Sequence, residues 1–443
     1  MLLPISILSN MMTDIATNYL RYDGKDLYLN RIDLTGASDS ILLNENMKAW
    51  MGGKDIPEDL SKQKYADLCF TFDYFFGHPG KAVLDAELAE KGLDQALADL
   101  GEEGAAIKAG LLSTHLSDYV SALQKLFLLY LSDGHTVAMD VSNLSDSNAD
   151  ASFKEKLGTI KESVSDVLNS EATLKQILHM AISPQRKLAW GEYDYREYGS
   201  TAIIRLDSFI PDEAAWDKYY KGEGEFPQDC AGIVVSGLRK AAANEKIKNV
   251  IFDLSCNGGG SSDMLMLLLG LTTGQNQLFG KNIKTGQSFT VTYESDNNFD
   301  GVFDEKDKEA KFDFNYGVLT TRGAFSCGNL CPIIMREGGA AVIGEPTSGG
   351  GCSIQIGIDA LGIRFMMSSC QWQLVDSAGN SVEGGCKVDM PIKPKSYSAL
   401  DFLVSQLGID EGLPSFSAYF DDANLDMLMN AWFHETIEEV PAA

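Results

Sequence analysis

Ser326 has the setting in this sequence that best suits a nucleophile. It lies in the segment Arg322-Gly-Ala-Phe-Ser-Cys-Gly-Asn329, between a predicted strand at 318–321 and a helix predicted from Gly328. A strand-to-helix turn exposes a serine over the end of a sheet and places the next amide at a helix N-terminus. A serine before a helix is more often only an N-cap. The segment lacks the GxSxG pattern of α/β-hydrolases, so the neighbouring segments must decide.

A glycine-rich turn is the second candidate element. In Asp253-Leu-Ser-Cys-Asn-Gly-Gly-Gly260, an apolar strand runs into three glycines and a helical segment follows. Glycines allow positive φ and a close approach to a ligand, and amides near a helix start can bind a developing oxyanion. The turn lacks the GK[ST] of a P-loop and the GxGxxG of a dinucleotide site. Taken alone, it is either an oxyanion site or a tight turn.

Two further segments carry titratable side chains among glycines. His135 stands in Asp133-Gly-His-Thr136 after a long apolar helix, where it is either a base or part of a helix C-cap. Glu383 stands in Val382-Glu-Gly-Gly385, where it either orients a base or is an ordinary solvated loop residue. Neither segment is specific by itself.

The order of these segments resembles the catalytic domain of the tail-specific (C-terminal processing) serine peptidase family. Residues 253–260 are similar to its Asp-Leu-Arg-x-Asn-Gly-Gly-Gly element, and Ser326-Cys-Gly-Asn329 to its Ser-Ala-Ser-Glu segment. Ile343-Gly-Glu-Pro-Thr347 is similar to its Val-Gly-Glu-Pro-Thr element, and Val388-Asp389 falls at its Val-x-Pro-Asp ending. The resemblance covers about residues 200–395 together with 133–136. It implies a crotonase-like ββα catalytic core of parallel strands.

The general base is where the sequence departs from the family pattern. Many members use a lysine in Phe-Gly-Lys-Gly, but the corresponding stretch here is Ser348-Gly-Gly-Gly351. The tricorn-like branch uses a histidine from a segment before the core and a glutamate from a turn after the nucleophile, which His135 and Glu383 resemble. That branch also has a serine directly before the histidine. Here the position is Gly134, and Thr136 is an open alternative source of a hydroxyl.

The resemblance implies a serine peptidase that needs neither a metal nor an organic cofactor. Ser326 Oγ would attack a peptide carbonyl, and His135 would take its proton and later protonate the leaving amine. Glu383 would orient the imidazole or stabilise the imidazolium. The predicted oxyanion hole consists of the amides of Cys327 and of Gly258 or Gly259.

Three alternatives remain open at this point. Cys327 follows Ser326 at a predicted helix start, where a lowered thiol pKa would make it the nucleophile. A crotonase-like coenzyme A enzyme would share the ββα core and a backbone oxyanion hole, but it has no serine turn of this kind. The missing lysine is also compatible with a degenerate family member that only binds peptides or small ligands.

Alternating strands and helices from residue 200 onward predict an α/β core of mostly parallel strands. We expect an N-terminal region at 1–195 with short strands and then helices, a catalytic domain at 196–400 and a helical tail at 401–443. Residues 58–132 and 140–195 read as helical. The stretch 293–315 is rich in Asp, Asn and Lys and predicts an exposed insertion. The region 140–195 is too short and too helical for the PDZ-like module that the family often carries.

The acidic composition restricts the partners. The chain has 443 residues, with 36 basic and 63 acidic side chains and a net charge of −27. This charge opposes binding to nucleic acid and to anionic lipid surfaces. The family resemblance implies a peptide or unfolded protein as the substrate. No transmembrane helix is expected, because no apolar run approaches the length needed to span a bilayer. The eight cysteines lack metal-site spacing and are expected to be free thiols.

The sequence start and the family resemblance both bear on the compartment. No basic residue precedes Arg21, so the apolar start does not have the pattern of a secretory signal. We expect either an intracellular protein or a precursor whose targeting segment is absent from this chain. The family resemblance implies a location outside the cytoplasm or in the cell envelope. The sequence does not specify the oligomeric state.

Overall fold

The computed structural model describes residues 4–12, 18–22, 27–31, 45–139, 182–393 and 416–434. The α-helices are α1 (Ile5–Met12), α2 (Glu45–Met51), α3 (Glu58–Phe75), α4 (Asp85–Lys91), α5 (Leu93–Asp99), α6 (Glu102–Leu111), α7 (Leu116–Lys125), α8 (Glu213–Tyr220), α9 (Cys230–Ala243), α10 (Ser262–Leu271), α11 (Glu305–Glu309), α12 (Cys327–Glu337) and α13 (Asp422–His434). Residues 182–190 are also helical. A π-helix at Leu126–Tyr130 follows α7, and a 3₁₀ turn at Ser417–Phe420 precedes α13.

The strands are β1 (Asn18–Tyr22), β2 (Leu27–Arg31), β3 (Val137–Ala138), β4 (Tyr195–Tyr198), β5 (Thr201–Arg205), β6 (Asn249–Asp253), β7 (Gln277–Lys281), β8 (Ser288–Thr292), β9 (Asn315–Thr320), β10 (Ala341–Gly344), β11 (Cys352–Ile358), β12 (Arg364–Val375) and β13 (Met390–Pro391). The short N-terminal strands predicted from the sequence are confirmed, because β1 and β2 pair as an antiparallel hairpin. The helical prediction for 140–181 lies outside the described residues.

The chain folds into two compact units. The first contains the described residues up to 139 together with Lys281–Gln287 and Cys352–Gln373. The second contains the described residues from 182 onward apart from those two segments. Both segments that join the N-terminal residues lie within the predicted catalytic domain. The domain boundaries at 195 and 400 stay a prediction.

The first unit joins helices to a small antiparallel sheet. β12 pairs with β11 on one side and with β3 on the other. Three buried phenylalanines connect the layers: Phe72 of α3 stacks on Phe365 of β12 at 5.7 Å between ring centroids, and Phe127 lies 5.5 Å from Phe72. The N-terminal helical region expected from the sequence is confirmed, and it carries the segment of His135 directly before β3.

The second unit is built on a six-stranded sheet in the order β13-β10-β9-β6-β5-β4. All neighbours in it are parallel except the edge strand β4, which is antiparallel to β5. Every residue of β6 is buried, as expected for a strand covered on both faces. The predicted α/β class with parallel strands is therefore confirmed. Because β6 and β9 are adjacent and parallel, the two turns that follow them lie at the same edge of the sheet.

The stretch 293–315 is only partly the exposed insertion that its composition predicts. Asp296, Asn297 and Asp307 are buried, and Asp307 accepts hydrogen bonds from the amides of Asn297 and Asp304. The spacing from Asp296 to Asp307 follows that of an EF-hand loop, with Asp in place of the final Glu. Within the described ranges, no group of three or more His, Cys, Asp or Glu side chains is placed to hold a metal ion.

Candidate active site

The glycine turn after β6 is fixed by its own side chains. Asp253, the last residue of β6, accepts a hydrogen bond from the Ser255 amide at 2.9 Å. Asn257 accepts one from the Gly259 amide at 2.8 Å and donates to the Leu206 carbonyl at 2.8 Å. The turn is therefore a defined structure rather than a loose loop.

Ser326 occupies the turn between β9 and α12 in a backbone conformation that is rare for serine. Its φ is 55° and its ψ is −122°, and its side chain makes no capping hydrogen bond to α12. The structure thus disfavours the reading of Ser326 as an ordinary N-cap. Positive φ at a non-glycine residue costs free energy and is found preferentially at functional sites. The half-buried side chain is displayed at the sheet edge, as the strand–turn–helix pattern predicts.

The two turns meet at Gly259 and Ser326. A Cβ at Gly259 would lie 2.7 Å from Ser326 Cβ and 3.1 Å from the Cys327 nitrogen, and the φ of Gly259 is 108°. Only glycine fits there without displacing a neighbour. Cys327 is the first residue of α12, so helix geometry leaves its amide without a partner inside the helix. The predicted nucleophile and the predicted oxyanion segments are therefore brought together.

Glu383 is linked to the nucleophile turn through one glycine loop. Its Oε2 accepts a hydrogen bond from the Gly350 amide at 2.9 Å. The adjacent carbonyl of Gly349 accepts a hydrogen bond from the Ser326 amide at 2.8 Å. Consecutive residues of the loop at 348–351 thus contact Ser326 on one side and Glu383 on the other. In the family pattern this loop would contain the lysine.

Asn329 is a structural residue of the site that the sequence did not single out. It is fully buried on α12, donates to the Val382 carbonyl at 3.1 Å and accepts from Thr347 Oγ1 at 2.5 Å. Thr347 Oγ1 in turn accepts from the Cys386 amide at 2.8 Å. Asn329 therefore ties the nucleophile helix to the Glu383 turn. The only signal in the sequence was the position of Asn329 inside the nucleophile segment.

His135 lies in the first unit, on a loop shaped by Asp133. The buried Asp133 side chain accepts hydrogen bonds from the amides of His135 and Thr136, both at 2.8 Å. Burial raises the pKa of Asp133 above its ordinary value. The Thr136 hydroxyl donates to Asp133 at 3.0 Å and accepts from the Ser368 amide at 3.2 Å, so its proton is already committed. His135 is itself buried, and its pairing with Ser326 stays a prediction.

The family model that matches this chain is "Peptidase family S41", over residues 200–390. This stretch of the chain is therefore similar to the members of peptidase family S41. The matched part contains Ser326, Cys327, Gly258, Gly259 and Glu383. His135 lies outside it.

Solved structures of low identity were also found. Mature CPAF complexed with lactacystin shares 14% identity at a TM-score of 0.35, with 52% of each chain covered. The photosystem II D1 C-terminal processing protease shares 14% identity at a TM-score of 0.33, covering 49% of this chain and 50% of that protein. The tricorn protease shares 15% identity at a TM-score of 0.28, covering 60% of this chain and 20% of that protein. The chain spans about half the length of the first two proteins. No curated protein matches it significantly.

Within the family S41 part, the structure argues against Cys327 as the nucleophile. Its Sγ is buried and lies 3.1 Å from the Gly260 carbonyl oxygen, to which the thiol donates. Burial raises the pKa of Cys327 to about 12, so the thiolate is scarce at neutral pH. All eight cysteines are free in the structure. Among the residues that the structure describes, no α-helix has the length and the apolar character needed to span a bilayer.

Proposed function

We propose that this chain is a serine peptidase that hydrolyses peptide bonds through an acyl-enzyme on Ser326. The observation that carries the proposal is the strained, uncapped Ser326 packed against Gly259. Neither a helix cap nor a plain turn requires that arrangement. The match to a peptidase family supports the same reading over a coenzyme A enzyme.

The backbone around Ser326 supplies the oxyanion hole in this proposal. The Cys327 amide is one donor, because it starts α12 and follows the nucleophile directly. The Gly259 amide donates to Asn257, so we favour the exposed Gly258 as the second donor. Such donors stabilise the tetrahedral intermediate, and loss of one typically costs about 100- to 1000-fold in rate.

His135 acts as the general base in this proposal, and Glu383 orients it or stabilises the imidazolium. Two features support these roles. The Asp133 loop holds the His135 backbone firmly, and Glu383 is anchored on the loop that also contacts Ser326. Because Thr136 is committed to Asp133 and residue 134 is glycine, the proposed group is a triad without an additional hydroxyl.

The finer assignments are also proposals. We infer a C-terminal processing or endopeptidase activity of the tricorn-like type, on a peptide or unfolded protein. We expect the protein to act outside the cytoplasm or at the cell envelope, and not on nucleic acid. The absence of lysine from residues 348–351 favours one other function, a degenerate member that binds peptides without cleaving them.

A fluorophosphonate probe tests the proposal directly. The wild-type protein should be labelled covalently on Ser326, and Ser326→Ala should abolish labelling. His135→Ala and Glu383→Ala should slow labelling by roughly 100-fold or more. The first removes the proposed general base, and the second removes the group that orients it or stabilises the imidazolium. Tryptic mass spectrometry of the adduct identifies the labelled residue.

The outcomes separate the alternatives. A folded wild-type protein that resists the probe would support the peptide-binding alternative. Undiminished labelling of His135→Ala would remove His135 from the mechanism while leaving Ser326 in place. Iodoacetamide inactivation that persists in Ser326→Ala would instead favour Cys327.

A further inference from the structure

A buried arginine lies beside the glycine turn and outside the family S41 part of the chain. Arg186 belongs to the helical residues 182–190, and only 6% of it is exposed. Its Nη1 and Nη2 donate to the two carboxylate oxygens of Asp207, each at 2.7 Å. Nη1 also donates to Asp253 Oδ2 at 3.0 Å. One guanidinium therefore joins the ends of two neighbouring strands, because Asp207 follows β5 and Asp253 ends β6.

Asp253 connects Arg186 to the start of the glycine turn. Its carboxylate is fully buried, and a buried charge is tolerated only when it is paired and hydrogen-bonded. Oδ2 accepts from Arg186 and, at 2.6 Å, from the Tyr193 hydroxyl. Oδ1 accepts from the Ser255 amide. The direction in which the chain leaves β6 is thus set by a carboxylate that Arg186 and Tyr193 hold in place.

Asp207 anchors the other side of the turn. The preceding residue, Leu206, accepts a hydrogen bond from Asn257, whose Oδ1 accepts from the Gly259 amide. Phe209 lies two residues after Asp207. Its amide donates to the Gly259 carbonyl at 2.9 Å, and its carbonyl accepts from the Ser261 amide at 2.7 Å. The strand ends held by Arg186 therefore form the frame on which the glycine turn is built.

Arg186 keeps its positive charge although it is buried. Burial alone would lower its pKa, but Asp253 and Asp207 outweigh burial and hold the pKa above the ordinary value. A lysine at this position would keep the charge but cannot reproduce the planar fork that spans both carboxylates.

We propose that Arg186 is a positioning residue that fixes the glycine turn at 258–260 against Ser326, and so sets the geometry of the oxyanion hole. This inference rests on the proposed function. The tolerance is small, because a Cβ at Gly259 would already lie 2.7 Å from Ser326 Cβ. A displacement of about 1 Å in such a site can cost roughly 100-fold in rate.

The test measures the rate constant and the affinity of fluorophosphonate labelling separately. Arg186→Lys should lower the maximal inactivation rate about 10- to 100-fold, while the probe concentration for half-maximal rate changes less than about 2-fold. Asp207→Asn should lower the rate by a smaller factor, since the Arg186 guanidinium still pairs with Asp253 at the end of β6. Tyr193→Phe should also lower the rate by a smaller factor, because it removes one of the hydrogen bonds to Asp253 Oδ2.

Arg196→Lys is the matched control. Arg196 also pairs with one carboxylate through two nitrogens, Nε and Nη2, but its partner is Asp422 at the start of α13. This control should lose stability without changing the labelling rate. Urea titrations measure the stability of each variant, and the final extent of labelling gives its folded, active fraction.

A purely structural role for Arg186 would reduce the extent of labelling and leave the rate constant of the active molecules unchanged. That result, or an equal rate loss in Arg196→Lys, would overturn the proposal. If Arg186→Lys does not fold, Asp207→Asn and Tyr193→Phe decide, and unchanged rates in both would also overturn it. Failure of the wild-type protein to react would instead contradict the proposed function.

Discussion

The positive φ of Ser326 is maintained by hydrogen bonds on both sides of the residue. The Ser326 amide donates to Gly349, and the Ser326 carbonyl accepts from the amides of Asn329 and Leu330 at 2.9 Å each. A sparsely populated backbone conformation costs about 1–3 kcal/mol, so it persists only where neighbours fix it. The strain at Ser326 is therefore imposed by α12 and the loop at 348–351 together.

Gly259→Ala should nearly abolish reaction with a fluorophosphonate. Its Cβ would lie 2.7 Å from Ser326 Cβ, and the φ of 108° is unfavourable for alanine, so the turn or Ser326 must move. We expect a loss of at least about 100-fold in labelling rate. The rate is measured by gel fluorescence at several probe concentrations.

Gly222→Ala is the control for this substitution. Gly222 also has a positive φ, of 70°, but a Cβ there would meet no atom within 4 Å. It should cost some stability and leave labelling intact. Normal reactivity of Gly259→Ala would show that the close approach to Ser326 does not matter.

The residues that could be singled out from the sequence are those whose signal is local. Ser326 and Gly259 stand in short segments whose order carries the family resemblance, and the structure brings them together. Arg186 and Asn329 acquire their roles from partners 67 and 53 positions away in the chain. A single sequence contains no record of such long-range hydrogen bonds, so neither residue was identified.

At the scale of elements, the Asp229 carboxylate connects the two helices α8 and α9. Its Oδ1 caps α9 by accepting from the Gly232 amide at 2.9 Å. Its Oδ2 accepts from the Asp212 amide at 2.6 Å and from Trp216 Nε1 at 2.9 Å, which fixes α8. One carboxylate therefore serves as a helix cap and as a link between helices.

Asp229→Ala should lower the free energy of unfolding by about 2–3 kcal/mol, because it removes the cap and leaves a part-buried indole N–H without its acceptor. Asp212→Ala is the control, since it removes only the cap of α8, the bond from the Ala215 amide. That change should cost about 1 kcal/mol. Urea denaturation followed by circular dichroism measures both losses, and equal losses would contradict the linking role.

Element boundaries were predicted well in the α/β region and less well before it. The apolar run at 248–254 predicts a buried strand, and the structure has β6 at Asn249–Asp253, because a continuous apolar run allows few alternatives. The apolar spacing over residues 81–100 is that of a helix, but the structure has two helices there, α4 and α5. Gly92, with a φ of 79°, separates them while the apolar spacing continues through the break. Hydrophobic periodicity reports the buried face and does not report a change in helix direction.

For the molecule as a whole, several buried carboxyl groups set the expected response to pH. Burial raises the pKa of Asp359 to about 6 from an ordinary value of 3.8. Burial also raises the pKa of Asp67 and Asp133. A carboxyl group with a raised pKa binds its proton more tightly in the folded state. It therefore favours folding as the pH falls through that pKa.

We expect the protein to become more stable when the pH is lowered from 7.5 to 5. Asp359 alone should contribute about 1 kcal/mol over this interval. Asp359→Asn should flatten the dependence by that amount, as measured by urea titrations at each pH. Repeating the series in 0.5 M NaCl separates this effect from repulsion within a chain of net charge −27, because salt screens the surface charges. A stability that falls steadily toward pH 5 would contradict the expectation.

The α/β class could be predicted because strands and helices alternate in the sequence. The composition of the two compact units could not. Cys352–Gln373 lies between segments that resemble the peptidase family, yet it packs with the N-terminal helices through Phe365 and its neighbours. Membership of a unit depends on which surfaces meet, and the local pattern of β11 and β12 does not reveal it.

This interleaving has a consequence for biosynthesis. The first unit includes Cys352–Gln373, so that unit cannot be completed until the ribosome has translated residue 373, long after the N-terminal helices. The N-terminal helices must wait for this segment with part of their apolar surface uncovered. Molecular chaperones that bind nascent chains would find a target there. Synthesis rate and chaperone supply should therefore influence the yield of native protein more than they would for a chain whose units follow one another in sequence.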